Sequence, residues 1–183
     1  MSKRQFCEEE CILYSGDYNQ ETRLVAAGTV FRSVLIWSIE ALGKHSPVKI
    51  KLEGHDGVIF DVKFLKKDLV ASVSDDRSLR LWKINLENST YQQLGEFYGH
   101  RSRIWKLHEL DYKGMIATVC EDATCKIWEV PSDLEESKEL PKVFNRSIET
   151  LKGHMGRNIR ALTCYQGLLA TGGDDGGIKV WNV

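Results

Sequence analysis

Four tryptophans recur at a near-constant interval, and that period restricts what this chain can fold into more than any other feature. Trp37, Trp82, Trp128 and Trp181 are separated by 45, 46 and 53 residues. Each sits in a stretch that alternates apolar and polar residues: SVLIWSI (33–39), SLRLWKI (78–84), TCKIWEV (124–130) and GIKVWNV (177–183). Alternation with period two is the mark of a half-buried strand. A short unit that repeats in this way cannot bury both its faces alone, so it must stack on its neighbours.

Further residues recur in phase with the tryptophans. Gly54-His55, Gly99-His100 and Gly153-His154 precede the last three, with 27, 28 and 27 residues from each histidine to its tryptophan. Six residues before those tryptophans stand Asp76, Asp122 and Asp175, and ten before stand Ser72, Thr118 and Thr171. Repetition decides how the acidic pairs Asp75-Asp76, Glu121-Asp122 and Asp174-Asp175 are read. A catalytic dyad occurs once, whereas three copies at one register are turn elements between strands. The glycines at 172, 173, 176 and 177 are likewise a turn, because no lysine followed by serine or threonine completes a phosphate loop. No Ser-His-Asp nucleophile set stands apart from the repeat. The first unit lacks the Gly-His pair and carries Phe31 and Ala27 where the others have aspartate and a hydroxyl, so apolar packing must hold it.

The spacing of 45 to 53 residues brackets that of a four-stranded propeller blade, and together with the Gly-His, Asp and Trp positions it resembles the WD-repeat family over nearly the whole chain. After the tryptophans stand Ser38, Lys83, Glu129 and Asn182 in place of the usual aspartate. The resemblance implies an all-β fold, a partial and open propeller of about four blades with the last lacking its outer strand. The units are about 7–53, 54–98, 99–152 and 153–183. It also implies a structural network of His55, Ser72, Asp76 and Trp82, repeated as His100, Thr118, Asp122 and Trp128 and as His154, Thr171, Asp175 and Trp181. Aspartate would hold histidine, and the hydroxyl would link histidine to the indole. Four units do not close the usual ring of seven, and an arc exposes the apolar sides of its end blades. The expectation is a fragment, a truncated product, or part of a propeller that another chain completes.

Composition limits the remaining chemistry. With 25 basic and 26 acidic residues the net charge is -1, so no global field draws the chain to nucleic acid or to an anionic membrane. No DNA or membrane contact is expected, and an RNA contact needs a local patch. Neither a signal peptide nor an apolar span is apparent, and a cytoplasmic location is expected, a nuclear one also being compatible. Five cysteines, Cys7, Cys11, Cys120, Cys125 and Cys164, are an odd number that suits reduced thiols. The pairs Cys7/Cys11 and Cys120/Cys125 lack a completing histidine or cysteine pair, so no metal and no cofactor is expected, and Cys120 and Cys125 read as packed thiols across a hairpin. His45 and His108 have no recurring counterpart.

Two features fall outside the period. The insertion 131–147, PSDLEESKELPKVFNRS, reads as a solvated loop on the bottom face, or else as a partner contact through Leu140, Val143 and Phe144. Arg101 and Arg103 in GHRSRIW, with Arg157 and Arg160 in GHMGRNIR, read either as solvated charges or as a top-face cluster that binds a carboxylate or phosphate of a partner.

Within the family, LVAAGTVFRSVLIW (24–37), GHDGVIFDVKF (54–64) and SVSDDRSLRLW (72–82) are similar to the WD-repeat protein six family, the accessory subunits of FtsJ-type tRNA 2′-O-ribose methyltransferases. The degenerate first unit beside an intact DDRS turn carries the likeness. It implies a noncatalytic adaptor that supports wobble-position methylation, with methyl donor and catalytic residues on the partner enzyme, possible tRNA contact, and a match to an internal portion of longer relatives. The alternatives are a general protein-interaction scaffold such as a ubiquitin-ligase substrate receptor, and a nonfunctional truncated fragment. Receptors of that kind often carry arginine shortly after the tryptophan, where this chain has Lys83-Ile84-Asn85 and Glu129-Val130-Pro131. An enzyme is disfavoured, since no nonrepeating polar constellation remains.

Overall fold

A computed structural model describes residues 12–39, 48–110, 114–137, 139–156 and 158–183. Cys7, Cys11, His45 and Arg157, named above, lie outside these residues. Within them, runs of branched and aromatic side chains separated by Asp, Gly and Ser turns form four sheets. The first holds β1 (Leu13–Asn19), β2 (Leu24–Thr29), β3 (Ser33–Ser38) and β4 (Ile50–Glu53), paired in that order. The second holds β5 (Ile59–Phe64), β6 (Leu69–Ser74), β7 (Leu79–Asn85) and β8 (Thr90–Phe97). The third is β9 (Ile104–Leu110), β10 (Met115–Cys120) and β11 (Thr124–Glu129), closed by β13 (Glu149–Lys152) after an intervening β12 (Lys142–Phe144). The fourth has three strands, β14 (Ile159–Tyr165), β15 (Leu168–Gly173) and β16 (Ile178–Asn182). These four antiparallel meanders are the blades of a partial, open propeller. No helix of the described residues is long and apolar enough to cross a membrane.

The core is a set of layers between blades. Val34, Ile36 and Leu52 of the first blade pack with Ile59, Val62 and Trp82 of the second. Leu79, Leu81 and Phe97 then pack with Ile104, Leu107 and Trp128, and Cys125 and Ile127 with Ile159 and Leu169, against which Trp181 rests. Each of these tryptophans therefore faces the preceding blade, while the apolar residues one and three before it face the following one. Those latter positions are Val34 and Ile36, Leu79 and Leu81, and Cys125 and Ile127, all at most 2% exposed. In the fourth blade the same positions are Ile178 and Val180, at 80% and 62% exposed.

The turn between the second and third strands of every blade demands a left-handed residue. It is Arg32, Arg77, Ala123 and Gly176 in turn, with φ of 66°, 69°, 61° and 74°. A side chain in this region costs about 1–2 kcal/mol, and the aspartate one residue earlier helps to offset it. Asp76 accepts from Ser78 N at 2.9 Å, Asp122 from Thr124 N at 3.0 Å and Asp175 from Gly177 N at 3.1 Å, the local loop that aspartate favours in turns. In the first blade, Thr29 Oγ1 accepts from Phe31 N and Ser33 N and donates to Ser33 O. That blade packs Leu24, Ala26, Ala27 and Leu35 in its interior, and this hydroxyl braces its turn as well.

The insertion 131–147 departs from the solvated-loop reading. Leu134, in a single 3-10 turn at Leu134–Glu136, is buried in the layer between the second and third blades, where Leu140 and Phe144 also pack. β12 then adds to the outer edge of the second blade, parallel to β8, with Lys142, Val143 and Phe144 opposite Gly95, Glu96 and Phe97. Tyr98 N donates to Phe144 O at 2.8 Å, the Phe144 ring stacks on Phe97 at 4.4 Å, and Lys83 pairs with Glu135. The physical reason is the unpaired edge of β8, which offers free backbone groups that a short strand can satisfy. Of the three residues expected to meet a partner, only Val143 stays exposed.

Candidate functional site

The periodic polar residues meet in three copies of one arrangement. In the second blade His55 Nδ1 lies 2.7 Å from Asp76 Oδ2 and Nε2 lies 2.8 Å from Ser72 Oγ, which also receives Trp82 Nε1–H at 2.8 Å. The third blade repeats this with His100, Asp122, Thr118 and Trp128 at 3.1, 2.8 and 2.8 Å. The fourth does so with His154, Asp175, Thr171 and Trp181 at 2.9, 2.9 and 3.0 Å. An indole can only donate and an ionised carboxylate can only accept. Proton direction follows: imidazole Nδ1–H to carboxylate, hydroxyl to Nε2, indole N–H to hydroxyl oxygen.

Electrostatics agree with those directions. Burial is the largest influence on His55 and His100 and lowers both below the ordinary imidazole range, against the pull of Asp76 and Asp122. Burial also opposes ionisation of Asp76 and Asp122. Hydrogen bonds from the histidines, from Ser78 and Thr124, and from the backbone N–H of Asp56 and Arg101 outweigh it and hold both carboxyls well below their usual value. Asp175 is brought down to about 2 by hydrogen bonds from His154, Met155 N and Gly177 N.

Asp-His-hydroxyl is the order of a nucleophilic triad, yet this arrangement cannot act as one. Ser72 and Thr118 are fully buried, and the indole N–H occupies the oxygen that would attack, leaving no approach for a substrate carbonyl. What the geometry does is tie the strand bearing the tryptophan, the turn and the incoming loop into one unit.

Several partners of this network escape the periodic reading. Ser78 and Thr124 donate to Asp76 and Asp122 at 2.6 Å; a hydroxyl four residues before the tryptophan was the available signal, present also as Ser33 in the first unit and replaced by Gly177 in the fourth. Arg80 closes the second blade's copy, 3.3 Å from Glu96 and 3.8 Å from Asp76. Two inner-strand aspartates clasp neighbouring blades. Asp17 accepts from Phe64 N at 2.8 Å and pairs with Lys63, and buried Asp61 accepts from Leu107 N at 3.1 Å with Lys106 beside it. An acid inside the apolar run VIFDVKF was the signal for Asp61, and Asp17 holds an equivalent place in the first strand of its own blade, LYSGDYN.

A potential metal cluster is His100, Cys120 and Asp122, whose ligand atoms lie within 4.8 Å of one another. These residues do not fit a metal. Both His100 nitrogens are bonded within the network, and the Cys120 thiol, pushed up to about 12 by burial, donates to Ser102 O. Cys125 is also pushed up to about 12 by burial. Cys120, Cys125 and Cys164 are all buried.

The arginine set separates in space. Arg103 lies 3.1 Å from Asp75 and 3.2 Å from Glu121, and Arg160 lies 3.3 Å from Asp174. Both guanidiniums lie over Trp105, at 5.5 and 4.4 Å from its ring centre, and Trp105 Nε1 donates to Asn158. These two cations are thus spoken for in part by acids of the turns between the second and third strands of the blades. Arg101 stands apart, on a groove of about 420 Å³ along the third blade. Half-buried His108 has its Nδ1 2.7 Å from the carbonyl oxygen of Glu109.

Comparison with known proteins adds to this geometry. The family described as WD domain, G-beta repeat matches residues 46–83, 91–129 and 145–182. The chain is 32% identical over 190 residues to the tRNA (34-2'-O)-methyltransferase regulator WDR6 of Homo sapiens, covering 97% of this chain and 16% of that protein. It therefore spans a small part of that relative's length. Among solved structures, the WD40 beta propeller domain of Doa1 superposes with a TM-score of 0.71 at 21% identity, covering 93% of this chain and 51% of that one. The computationally designed Ika4 protein gives 0.75 at 21% identity, covering 100% and 99%. At this identity the two structures speak for the fold alone.

Proposed function

The chain belongs to the WD domain, G-beta repeat family, and on that premise we propose that it is a noncatalytic adaptor supporting 2′-O-methylation of the tRNA wobble ribose by a partner methyltransferase of the FtsJ type. The observation that carries this reading is the similarity over 97% of the chain to a protein named as a tRNA (34-2'-O)-methyltransferase regulator. That span takes in the first blade, where Thr29 and Ser33 brace a turn that departs from the repeat. Propellers host many activities, so the fold alone cannot choose among them. The three Asp-His-hydroxyl sets of the described residues are consumed in holding blades together, which leaves the chemistry of methyl transfer to the partner.

The contact surface in this proposal includes Arg101, Arg103, Arg157 and Arg160. An arginine that shares one edge with a carboxylate keeps further N–H groups for a second anion. The test is wobble-ribose methylation in cells that lack the endogenous protein and express this chain. Restored methylation together with co-purification of an FtsJ-type enzyme is expected. A chain that is expressed, folded and unable to retain such an enzyme would refute the adaptor role. Full rescue by the quadruple alanine variant of the four arginines would remove them as contacts.

A further inference from the structure

The blades are built on one pattern, so a position whose chemistry changes between them stands out against an internal control. Two residues before its tryptophan, the second blade carries Arg80, and the third carries Lys126. Opposite them on the outer strand, Arg80 faces Glu96 while Lys126 faces Thr150. Glu96 lies 3.3 Å from Arg80 and Tyr98 donates to Glu96, so the second blade's cation is neutralised and covered. In the third blade, Lys126 donates to the neutral Thr150 Oγ1 at 2.8 Å. Where Tyr98 stands in the second blade the third has Lys152, and where Asp56 follows His55 the third has Arg101 after His100.

These replacements act in one direction: each removes an acid or a cover, or adds a cation. Arg101, Lys126 and Lys152 line one groove of about 420 Å³ along the outer side of the third blade, and among the described residues none of the three has a carboxylate at ion-pair distance. The acid in the groove, Asp122, already accepts from His100, Arg101 N and both the N–H and hydroxyl of Thr124. The groove runs into a second hollow of about 320 Å³ that shares Gly99, Lys126 and Thr150 and adds Arg146, with Glu149 on its wall. Arg101, Lys126 and Lys152 outnumber the one carboxylate lining their groove, and an excess of like charge costs free energy, an arrangement expected where a ligand supplies the opposite sign.

We infer that this groove, through Arg101, Lys126 and Lys152, binds the phosphodiester backbone of RNA. A track of cations from the incoming loop, a central strand and the outer strand, continued by Arg146, suits a chain of successive phosphates better than one isolated anion. Its open, polar walls offer the sequence-independent grip that phosphate contacts provide. Identifying the polyanion as RNA rests on the adaptor reading above; the cationic groove does not.

The test is fluorescence anisotropy of the whole chain with a labelled tRNA anticodon stem-loop, read across a salt series. Arg101→Ala, Lys126→Gln and Lys152→Ala combined should weaken binding roughly tenfold or more and flatten the salt slope by about 2 to 3, near 1 for each lost phosphate contact. Thr150→Glu, which copies the second blade's solution, should weaken binding by itself. Lys67→Ala, on the loop between β5 and β6 and not among the residues lining the groove, should leave the slope largely unchanged, and circular dichroism of each variant establishes that it is folded. An unaltered slope in the folded triple variant overturns the inference. So does a phosphoserine peptide that displaces the RNA at matched phosphate concentration, since the groove would then take phosphoprotein. RNA binding lost in the triple variant while no methyltransferase co-purifies with wild type would sustain the groove and sink the adaptor role.

Discussion

Asp76→Ala tests whether the repeated polar set holds the blades together. The carboxylate receives His55 Nδ1–H at 2.7 Å, Asp56 N–H at 3.0 Å, and Ser78 through N–H at 2.9 Å and Oγ–H at 2.6 Å. Asp56 lies at the surface and finds water when the carboxylate goes. The His55 side chain and Ser78 are buried, so their donors are stranded at about 1–3 kcal/mol each. The expected loss is about 4 kcal/mol, which for a chain of this size lowers Tm by roughly 8–16 °C. Guanidinium unfolding followed by tryptophan fluorescence measures it, as a shift in midpoint at constant m-value. Asp76→Asn, which keeps an acceptor without the charge, should fall between. Asp175→Ala removes three counterparts of these bonds, from His154, Met155 N and Gly177 N, the hydroxyl bond being absent at Gly177, and in the exposed fourth blade should cost less. A loss below about 1 kcal/mol for Asp76→Ala, or equal losses for the two alanine variants, would refute the idea that buried, unsatisfied donors set the cost.

Three further outcomes follow from the geometry. His55 and His100 are depressed by burial, so below about pH 6.5 the unfolded chain takes up protons that the folded chain refuses, and stability falls with falling pH. The slope is at most roughly 1.4 kcal/mol per pH unit for each histidine, with a second loss below about pH 4 as Asp76 and Asp122 protonate; a Tm that is flat from pH 7 to 5.5 would contradict this. Phe144→Ala removes the stacked ring on Phe97 and should cost about 2–3 kcal/mol while stripping hydrogen-exchange protection from Tyr98 N–H, whose acceptor is Phe144 O; unchanged protection there would show that β12 does not clip the second blade. The isolated chain should self-associate through the face bearing Ile178 and Val180, and Ile178→Lys with Val180→Glu should suppress it; sedimentation of the wild-type chain as a monomer at high concentration would count against it.

The blades were legible because their signals repeat along one dimension. Trp82, Trp128 and Trp181 with their Gly-His, Asp and hydroxyl companions keep a constant register, and a register needs no knowledge of what lies across the fold. The aspartates' second task, bracing a left-handed turn at Arg77, Ala123 and Gly176, was hidden because only backbone dihedrals show it. Asp17 and Asp61 were passed over for a related reason: each acts on the next blade, and an interblade bond leaves no periodic mark in the chain that makes it.

By itself, then, the sequence determined the repeat, the strands that bear the tryptophans and the four residue types that tie the last three blades together, all of them consequences of local alternation and constant spacing. Only the tertiary structure decided where the insertion goes and which cations are neutralised. Segment 131–147 pairs with β8 because that strand's open edge lies within reach across the boundary between blades. Arg103 and Arg160 lose much of their freedom because Asp75, Glu121 and Asp174 come to them from adjacent turns. Arg101, Lys126 and Lys152 keep theirs because Thr150 stands where the neighbouring blade has a glutamate. Coulomb energy depends on distance through space, and that distance is set by the stacking of blades rather than by order along the chain.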